Sequence, residues 1–505
     1  MIPSKNKPLS CLSVEGRIPE GLEGTLFRNV PNLVPRNGKD VPHPFDGDGM
    51  LVRITFRRGQ VHVETRQIET EAWKEEEASG RFLFNTAFSK RSFADSFPRN
   101  PLDFGVKNVS NTGVLAWDGR LYTLFERGVP YEIDMATMRT LGEAPVAGAT
   151  GRLPVAGHYR VLRAPDAGGG SGSTLVLMSP QDAGRDCKVS FFELPAGGSG
   201  AARQRSVRLP GALLGFFHDF AVTEDYYVLV ENPIKMDFAS LLSDYLAGGA
   251  SLASLLRMDR RRPTRVHLVP RHDGVRRRTF KLPPFFVFHL GNAFQLAGES
   301  GGGVVVADVV GWDEYDLGKD LRSWRAEDFV GPTRAEPTRI TLDLATGAAT
   351  SEKLTRRTGE FPTVSPAVAG RPHRYLYYAG GGIDDSAAWT PPQTITRLDV
   401  DPAVRPDAAG ERLRDAVRSS VWHAGELCFV EEPLFVPRGE GEADGWLVAT
   451  VFDGAEQRTQ VVVLDADDLE AGPVASVRLP HHVPYGLHGT WVPGFCAPAL
   501  QDGPQ

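Results

Sequence analysis

The sequence predicts an all-β fold, a seven-bladed β-propeller with a helix-containing cap over one end. Two observations lead to this prediction. The 54 glycines and 38 prolines among 505 residues are spread along the whole chain, and their combined share exceeds the average of about 12%. The segments between them are short alternating runs of β-branched and aromatic residues, which are typical of strands. In addition, one hairpin unit, made of a strand, a tight polar turn and a second strand, recurs seven times.

The seven hairpin units begin near residues 51, 131, 189, 264, 338, 394 and 461. Two examples are "LVRITFRRGQVHVETRQI" and "TRVHLVPRHDGVRRRTFKLP". The gaps between successive units run from 56 to 80 residues, whereas common propeller repeats span about 40–50. Blades of four strands that close radially accommodate such a repeat, and the surplus residues are expected to form the cap.

A single domain over residues 1–505 is expected, with about the first 16 residues at its periphery. A pair of β-sandwiches is the structural alternative, and it requires a domain boundary. The best linker candidates are the glycine- and proline-rich segments 167–174, 196–204 and 401–415. Each lies between hairpin strands of the same kind, so each is interpreted as a surface loop.

Composition and charge exclude several classes of protein. A net charge of −7 indicates no nucleic-acid partner. Four cysteines without a C-x-x-C pair argue against a thiolate metal site or a disulfide framework and suit a reducing compartment. The N-terminus lacks the apolar core of a secretory signal, and no run approaches 18 apolar residues. We therefore expect a cytoplasmic protein without a signal or transit peptide, and no obligate protein partner is indicated.

Four histidines stand in apolar, strand-like stretches beside small or short polar residues. They are His158 in "LPVAGHYRVL", His218 in "GFFHDFAV", His289 in "FVFHLGNAF" and His488 in "PYGLHGTWV". Seven others lie in polar turns or loops and are expected to be solvated or hydrogen-bonded locally, and His482 is ambiguous. A single apolar histidine is usually a satisfied core residue, but these four belong to different blades.

The first three of these histidines precede the hairpin units at 189, 264 and 338 by 31, 46 and 49 residues, and the fourth follows the last unit. The innermost strands of a propeller converge on one axis, so one inward histidine per blade can meet the others there. Four neutral imidazoles at one point would be unsatisfied unless a metal took their lone pairs. Imidazole suits Zn, Cu, Fe and Ni. The spacing therefore predicts a metal site with positions left free for substrate or oxygen.

These residues and their surroundings resemble the carotenoid cleavage oxygenase family of plant, animal and bacterial polyene-cleaving dioxygenases. The matching motifs run in order from "IPEGLEGTLFRNVPN" through "FDGDGML", "KNVSNTGVLAWDGRLYTLFERG", "FFHDFAV", "FVFHLGNAF", "EFPTV" and "EEPLFVPR" to "PYGLHGTW". The resemblance covers nearly the whole chain. It implies a seven-bladed propeller with a helical cap, in agreement with the hairpin count, and one non-haem ferrous ion bound by the four histidines.

The resemblance also implies roles for residues around the iron. Three glutamates, matched here by Glu126, Glu360 and Glu432, would each accept the distal N–H of one ligating ring. Such a contact fixes the tautomer and makes the other nitrogen more basic. Glu431 stands next to Glu432, and a slip of one residue would exchange their roles. Thr112 matches a threonine near the open iron position, and a turn-capping role is the equal alternative.

The chain departs from the family pattern after two of its histidines. Tyr159 replaces the proline that usually follows the first histidine. After the third histidine, His289, the family usually has another histidine, and this chain has Leu290. Gln295 stands where the family usually has an acidic residue, and this substitution is expected to remove a negative charge from near the iron.

The implied reaction is cleavage of one conjugated C=C bond by O₂ to give two carbonyl products, without an organic cofactor. The substrate would be an apolar carotenoid or apocarotenoid. Stilbene-cleaving relatives usually carry lysine where this chain has Phe125, so phenolic stilbenes are the nearest alternative. Isomerohydrolase action on retinyl esters is another. A non-catalytic binding propeller would leave the four histidines unexplained, and a calcium-dependent hydrolase would need oxygen ligands.

Segment 235–265 carries the only long helical pattern. Phe238, Leu241, Leu242, Tyr245 and Leu246 follow helical spacing, and five arginines come after a second leucine-rich stretch. An apolar helical face beside a basic cluster is typical of a segment that lies in the membrane interface. We expect peripheral membrane binding there, with a cap helix packed on the propeller as the alternative.

Overall fold

The computed structural model describes residues 12–97, 105–163, 172–198, 202–213, 215–297, 303–314, 334–382, 391–400 and 413–496. Within these ranges, strands dominate and helices are few and short. Seven sheets of four or more strands and one two-stranded ribbon are formed. The sheets are the blades of a seven-bladed propeller, so the predicted fold class is confirmed.

The first half of the chain contains strands β1 (Ser13–Gly16), β2 (Gly24–Asn32), β3 (Asp48–Arg57), β4 (Gln60–Gln67), β5 (Gly113–Trp117), β6 (Arg120–Leu124), β7 (Tyr131–Ile133), β8 (Thr140–Glu143), β9 (Tyr159–Arg163), β10 (Ser173–Ala183), β11 (Asp186–Pro195), β12 (Arg203–Leu209), β13 (Ala221–Val222), β14 (Tyr226–Glu231), β15 (Ile234–Met236) and β16 (Leu256–Met258).

The second half contains β17 (Thr264–Pro270), β18 (Arg278–Leu282), β19 (Phe286–Ala297), β20 (Gly303–Trp312), β21 (Ala335–Asp343), β22 (Ala349–Lys353), β23 (Gly359–Thr363), β24 (Tyr375–Gly380), β25 (Thr394–Asp399), β26 (Arg418–His423), β27 (Cys428–Val430), β28 (Leu434–Pro437), β29 (Gly445–Asp453), β30 (Arg458–Asp465), β31 (Pro473–Arg478) and β32 (Gly489–Pro493). The described α-helices are α1 (Glu71–Ser79), α2 (Phe238–Ser240) and α3 (Leu413–Ala416). A π-helical turn spans Leu241–Tyr245, and 3-10 turns span Pro44–Asp46, Arg91–Phe93, Val146–Gly148, Ala196–Gly198, Ala253–Leu255 and Pro366–Val368.

Each blade is an antiparallel meander that starts at the propeller axis. Blade one has the order β32-β2-β3-β4, blade two β5 to β8, and blade three β9 to β12. Blade four has β13-β14-β17-β18, blade five β19 to β22, blade six β23 to β26, and blade seven β27 and β28, then β29-β30-β31-β1. The seven predicted hairpin units are the third and fourth strands of the seven blades. The fourth strands are partly exposed and their burial alternates, as in Arg278–Leu282, whereas third strands such as Asp48–Arg57 are buried almost throughout.

The ring is closed by pairing between distant parts of the chain at two places. Arg28 of β2 lies opposite Gly489 of β32, which gives blade one its innermost strand. Ser13 of β1 lies opposite Arg478 of β31, which adds an outermost strand to blade seven. The residues expected at the periphery therefore include an exposed edge strand, Ser13–Gly16.

The cap lies at one end of the propeller, as predicted. Neighbouring strands are antiparallel, so the second and fourth strands of a blade end where its innermost strand begins. Segments 33–47, 68–112 and 232–263 all connect strands at this end. Two of them are joined to each other, since the Arg91 N–H donates to the Ala250 carbonyl at 3.1 Å and the Ala253 N–H donates to the Ala87 carbonyl at 2.9 Å.

A buried ion network fastens the cap to blade one. Lys107 Nζ lies 2.6 Å from Asp48 and 2.7 Å from Glu76, and Arg36 lies 3.5 Å from Asp48. Glu76 belongs to α1, which begins where the Thr70 hydroxyl accepts the Trp73 N–H at 3.1 Å. All four charged side chains are at most 4% exposed, so each charge depends on the others for compensation.

The prediction of a long helix in segment 235–265 is wrong. Helical structure covers only 238–245 and one turn at Ala253–Leu255. Gly248 has φ +87 and interrupts the helix, and residues Leu256–Met258 pair with Ile234–Met236 as a ribbon. No helix in the described ranges is both long and apolar enough to cross a membrane.

The arginines of this segment also differ from the expectation, because several are engaged within the protein. Arg265 lies 2.6 Å and Arg262 3.6 Å from Glu231. Arg260 pairs with Glu314. The basic cluster is therefore largely neutralised locally.

Candidate metal centre

Four histidines from four blades meet on the propeller axis. His158 directly precedes β9, His218 lies three residues before β13, His289 lies within β19, and His488 directly precedes β32. These strands are innermost in their blades and begin at the same end. Consequently one ring nitrogen of each histidine lies within 4.8 Å of the others. In the described part of the chain, this is the one cluster of three or more His, Cys, Asp or Glu side chains able to hold a metal ion.

The ring nitrogens have the spacing of metal ligands. His218 Nε2 lies 3.0 Å from His158 Nε2 and 3.2 Å from His289 Nε2. Two nitrogens that each lie about 2.1 Å from one metal ion, at right angles, are about 3.0 Å apart. A tetrahedral angle would separate them by about 3.4 Å. Both measured spacings therefore lie in the range expected between two ligands of one metal ion.

The protonation state of the rings supports the same conclusion. Burial, followed by the charges of neighbouring histidines, lowers the pKa of His158 and of His289 well below the ordinary value. Both rings are neutral at physiological pH, which is the form that binds metals. Hydrogen bonds between the rings cannot satisfy all the nitrogens at the axis. His218 Nε2 faces the nitrogens of two neighbouring rings and carries at most one proton.

Three carboxylates orient three of the rings. Glu126 contacts Nδ1 of His218, and Glu360 Oε2 accepts the Nδ1–H of His289 at 2.6 Å. With their Nδ1 atoms occupied as donors, these rings direct the lone pairs of their Nε2 atoms to the axis.

Glu432 is the third of these carboxylates, and its Oε1 accepts from Nδ1 of His488 at 2.7 Å. Glu431 instead lies 2.6 Å from Arg28 Nε and contacts the Thr450 hydroxyl. Of the two neighbouring glutamates, Glu432 is therefore the one in contact with a histidine ring, and Glu431 is engaged with Arg28.

The three glutamates do not have the same acidity. Burial would raise the pKa of Glu126 and Glu432, but contacts with His218 and His488 more than offset it, so both pKa values are lowered. For Glu360, burial raises the pKa to about 8, and hydrogen bonds from Trp312 and the Phe361 N–H offset only part of this. A cation on the far side of the His289 ring would favour the anionic form of Glu360.

Among the described residues, no glutamate pairs with His158. Its Nδ1 lies 3.9 Å from Asp219, which is beyond hydrogen-bonding distance. Tyr159, which stands where relatives usually have proline, donates its hydroxyl to Thr490 at 3.0 Å. This contact joins the strand that follows His158 to the strand that follows His488.

Thr112 lies beside the histidines but within the protein framework. Its carbonyl accepts the His488 N–H at 3.2 Å, and its methyl group faces Gly157, where a Cβ would come within 2.5 Å of Thr112 Cγ2. Its hydroxyl lies 3.3 Å from Asn111 Oδ1. The position next to Gly157–His158 is compatible with a role at the open side of the ion.

Phenylalanines form the wall around the rings. Phe288 packs edge-on against His218 with ring centroids 4.2 Å apart, and Phe361 packs against His289 and His488 at 5.4 Å. Phe361 has φ +57, and the register of β23 and of β19 shifts at these points. Backbone strain of this kind is maintained where the fold directs side chains into a functional site.

The two other departures from the family pattern have structural explanations. Leu290 takes part through its main chain, whose N–H donates to Asp219 at 2.8 Å, while its apolar side chain is buried in the hydrophobic core. Gln295 lies six residues beyond His289 along the strand, a distance of about 20 Å, so the expectation that it alters charge near the ion is wrong. Its amide donates to Asp225 at 2.9 Å and accepts from the Asp225 N–H at 2.8 Å and the Thr223 hydroxyl at 2.7 Å. A glutamate there would face the Asp225 carboxylate.

Sequence patterns missed two residues that support the site. Arg28 is 1% exposed and also donates to the carbonyls of Glu432 at 3.1 Å and Leu487 at 3.3 Å. Trp312 donates its indole N–H to Glu360 at 2.6 Å. Arg28 could have been suspected, since it is an arginine within the apolar motif "GTLFRNV", but nothing in the pattern around Trp312 signals its role.

Behind the histidines, on the side away from the cap, a cavity of about 460 Å³ follows the axis. It is lined by residues of the innermost strands, among them Tyr159, Leu290, Leu434 and Trp491. The ring nitrogens are therefore bordered by the cap on one side and by this axial cavity on the other.

Comparisons with known proteins give consistent matches over the whole chain. The family model described as retinal pigment epithelial membrane protein (RPE65) matches residues 3–493. The apocarotenoid-15,15'-oxygenase of Synechocystis sp. is 30% identical over 495 residues, covering 95% of this chain and 92% of that protein. The isoeugenol monooxygenase of Pseudomonas putida is 27% identical, with coverage of 95% and 94%. A solved structure of cobalt-substituted Synechocystis apocarotenoid oxygenase covers 97% of this chain and 96% of its own, with a TM-score of 0.83 and 29% identity.

Proposed function

Because the chain belongs to the RPE65 family of carotenoid cleavage oxygenases and is an oxidoreductase of the dioxygenase type, we propose that it uses Fe(II) and O₂ to cleave one conjugated C=C bond of a carotenoid or apocarotenoid. The convergence of four imidazoles, three of them oriented by buried carboxylates, carries this proposal. One alkene and one O₂ give two carbonyl groups, so no further reductant is required.

The ion would be held by Nε2 of His158, His218, His289 and His488. Ferrous iron, when bound, supplies the electron chemistry with O₂ that no closed-shell side chain offers. The remaining work falls to the protein. Carboxylates keep three imidazoles in the metal-binding tautomer, and the phenylalanines exclude water from the reacting double bond.

The apolar packing of the cap supports a hydrocarbon substrate. One cluster in the cap contains Tyr245 and Leu255, and the next contains Ala253 with Phe216 and Phe288. Phe288 contacts His218, so an apolar series of side chains leads from the outer cap to the histidines. Phe125, half-buried beside Glu126, offers no donor to a phenol.

Cleavage of a phenolic alkene is the second candidate, because relatives named isoeugenol monooxygenase match over 95% of this chain. To distinguish the candidates, iron-loaded protein is incubated with apocarotenoids, full-length carotenoids, stilbenes and isoeugenol, and the products are identified by mass. Turnover restricted to phenolic alkenes would contradict the carotenoid proposal.

The metal itself is tested by anaerobic purification and metal analysis. We expect one iron per chain, and a loss of iron and of turnover on replacing any of the four histidines by alanine. Full activity of His289→Ala would refute the assignment. His272→Ala, in an exposed turn, is the control that should retain iron.

We further propose that the outer cap touches membranes, where carotenoids reside. Phe238 and Leu242 are 66% and 70% exposed, whereas Leu241 packs towards the cap interior. The contact would be mainly apolar, because the nearby arginines are engaged with carboxylates. The cytoplasmic location expected from the cysteines stays a prediction.

Vesicle flotation tests this contact. Phe238→Asp with Leu242→Asp should abolish binding to phospholipid vesicles, while Leu141→Asp, at a residue 62% exposed on blade two, should not. Equal flotation of the double variant and the unmodified protein would exclude this surface.

A further inference from the structure

A partly buried ion pair joins the main chains that carry three of the four histidines. Arg160 Nη2 lies 2.9 Å from both carboxylate oxygens of Asp219. The same nitrogen donates to the Leu290 carbonyl at 2.8 Å, and the Leu290 N–H donates to Asp219 Oδ2 at 2.8 Å. Arg160, Asp219 and Leu290 therefore form a closed triangle of hydrogen bonds across blades three, four and five.

Each corner of this triangle is next to a metal-binding histidine in the chain. Arg160 is two residues after His158, Asp219 is one residue after His218, and Leu290 is one residue after His289. Asp219 is further fixed by the Phe220 N–H at 2.7 Å. The side chain of Asp219 is 1% exposed, and that of Arg160 is 19% exposed where it borders the axial cavity.

We propose that Arg160 and Asp219 are positioning residues that set the distances between His158, His218 and His289, and thereby the strength and geometry of metal binding. This inference rests on the proposed metal-dependent function. The glutamates determine how the rings are turned, but each of them contacts a single ring. The separation of the rings depends on the backbones, and this triangle ties the three backbones together within about two residues of the ligating side chains.

Electrostatics and packing explain why an ion pair serves this purpose. Innermost strands of neighbouring propeller blades do not share a continuous ladder of main-chain hydrogen bonds, so their spacing depends on side chains. A charged pair shielded from water makes short, directional hydrogen bonds, and a metal site tolerates displacements of only about 0.5 Å. His158 depends on the triangle most, since no carboxylate in the part of the chain that the structure describes accepts from its Nδ1 at hydrogen-bonding distance.

The test uses the full-length protein loaded with Co(II), whose visible absorption reports ligand geometry. Arg160→Met keeps the side-chain length and removes every donor, and Asp219→Asn keeps the volume and removes the charge. We expect each to accelerate Co(II) loss to a chelator by at least about tenfold, as for other groups that orient ligands, and to shift the absorption spectrum. Arg160→Lys keeps one charged donor and should restore most of the lifetime.

The matched control is a second buried pair in blade five, Arg339 and Asp308, which lie 2.8 Å apart with side chains 1% and 0% exposed. Arg339→Met should lower the melting temperature but leave the Co(II) spectrum unchanged and its loss within about twofold. All measurements use folded protein, that is, protein whose circular dichroism spectrum matches that of the unmodified protein. If Arg160→Met does not fold, Asp219→Asn provides the test.

Two outcomes would overturn the proposal while sparing the proposed function. One is a folded Arg160→Met or Asp219→Asn variant with the unmodified spectrum and rate of Co(II) loss. The other is an equal effect of Arg339→Met, which would mean that any buried pair matters by loosening the fold. Failure of the unmodified protein to bind Co(II) or Fe(II) would overturn both proposals.

Discussion

Replacing Glu360 with glutamine tests the role of the carboxylates, because an amide cannot satisfy all the donors around this side chain. Oε1 accepts the Trp312 indole N–H at 2.6 Å. Oε2 accepts from His289 at 2.6 Å and from the Phe361 N–H at 3.0 Å. Glutamine has a single acceptor oxygen, so its NH₂ group must face either Trp312 or His289.

The size of the effect follows from this conflict. Metal binding requires an acceptor at His289 Nδ1, which forces the NH₂ of the glutamine against the Trp312 N–H. A buried donor without an acceptor costs about 1–3 kcal/mol, and every 1.4 kcal/mol is a factor of ten. We therefore expect Glu360→Gln to weaken metal binding by about 10–100-fold, in the range typical of groups that orient ligands.

The conflict should be relieved by removing the other donor. In the double variant Glu360→Gln with Trp312→Phe, the NH₂ group no longer faces an indole N–H, so metal binding should be tighter than in Glu360→Gln alone. Chelator competition under anaerobic conditions measures the Co(II) affinity of the unmodified protein, of Glu360→Gln, of Trp312→Phe and of the double variant. Unchanged affinity in Glu360→Gln, or additive losses in the double variant, would refute the reasoning.

Two further substitutions separate metal binding from folding. Glu432→Gln should weaken metal binding by about 10–100-fold with little change in melting temperature. Glu431→Gln should mainly lower the melting temperature, because it leaves Arg28 buried beside a neutral amide. The reverse pattern would contradict the assignment of the two residues. Gly157→Ala should impair turnover because its Cβ would lie 2.5 Å from Thr112 Cγ2. Thr112→Ser removes the Cγ2 methyl group, so turnover should be partly restored in the double variant. A double variant without rescue would show that the alanine Cβ disturbs a different contact.

The sequence was most informative where burial changes along a strand. The fourth strands of the blades are partly exposed, so polar and apolar residues alternate along them, and all seven hairpins were located. The innermost strand Phe286–Ala297 follows apolar residues and begins with an apolar run, and His289 is conspicuous because it is the first polar residue to interrupt that run. Three other histidines stood out in the same way.

Contacts between distant parts of the chain were beyond the reach of sequence patterns. Arg28 and Glu431, or Arg160 and Asp219, lie far apart in the chain, and neither member of a pair indicates its partner. The long helix expected after Lys235 failed because leucine spacing carries no information about the ribbon that Leu256–Met258 forms. Helix α1 was overlooked since its charged sequence "EAWKEEEAS" has little apolar periodicity.

The double closure of the ring determines when the metal centre can form during synthesis of the protein. Translation proceeds from the N-terminus, so β2 emerges from the ribosome long before β32, its inner neighbour, and His488 is the last of the four ligands to appear. Until then, a nascent chain offers a metal ion at most three of the four axial imidazoles, and the edge of β2 is open to pairing with another chain. Under the proposed function, complete metal loading therefore marks molecules whose ring has closed. Conditions that slow the arrival of β32 should favour aggregation over a folded protein that lacks its metal.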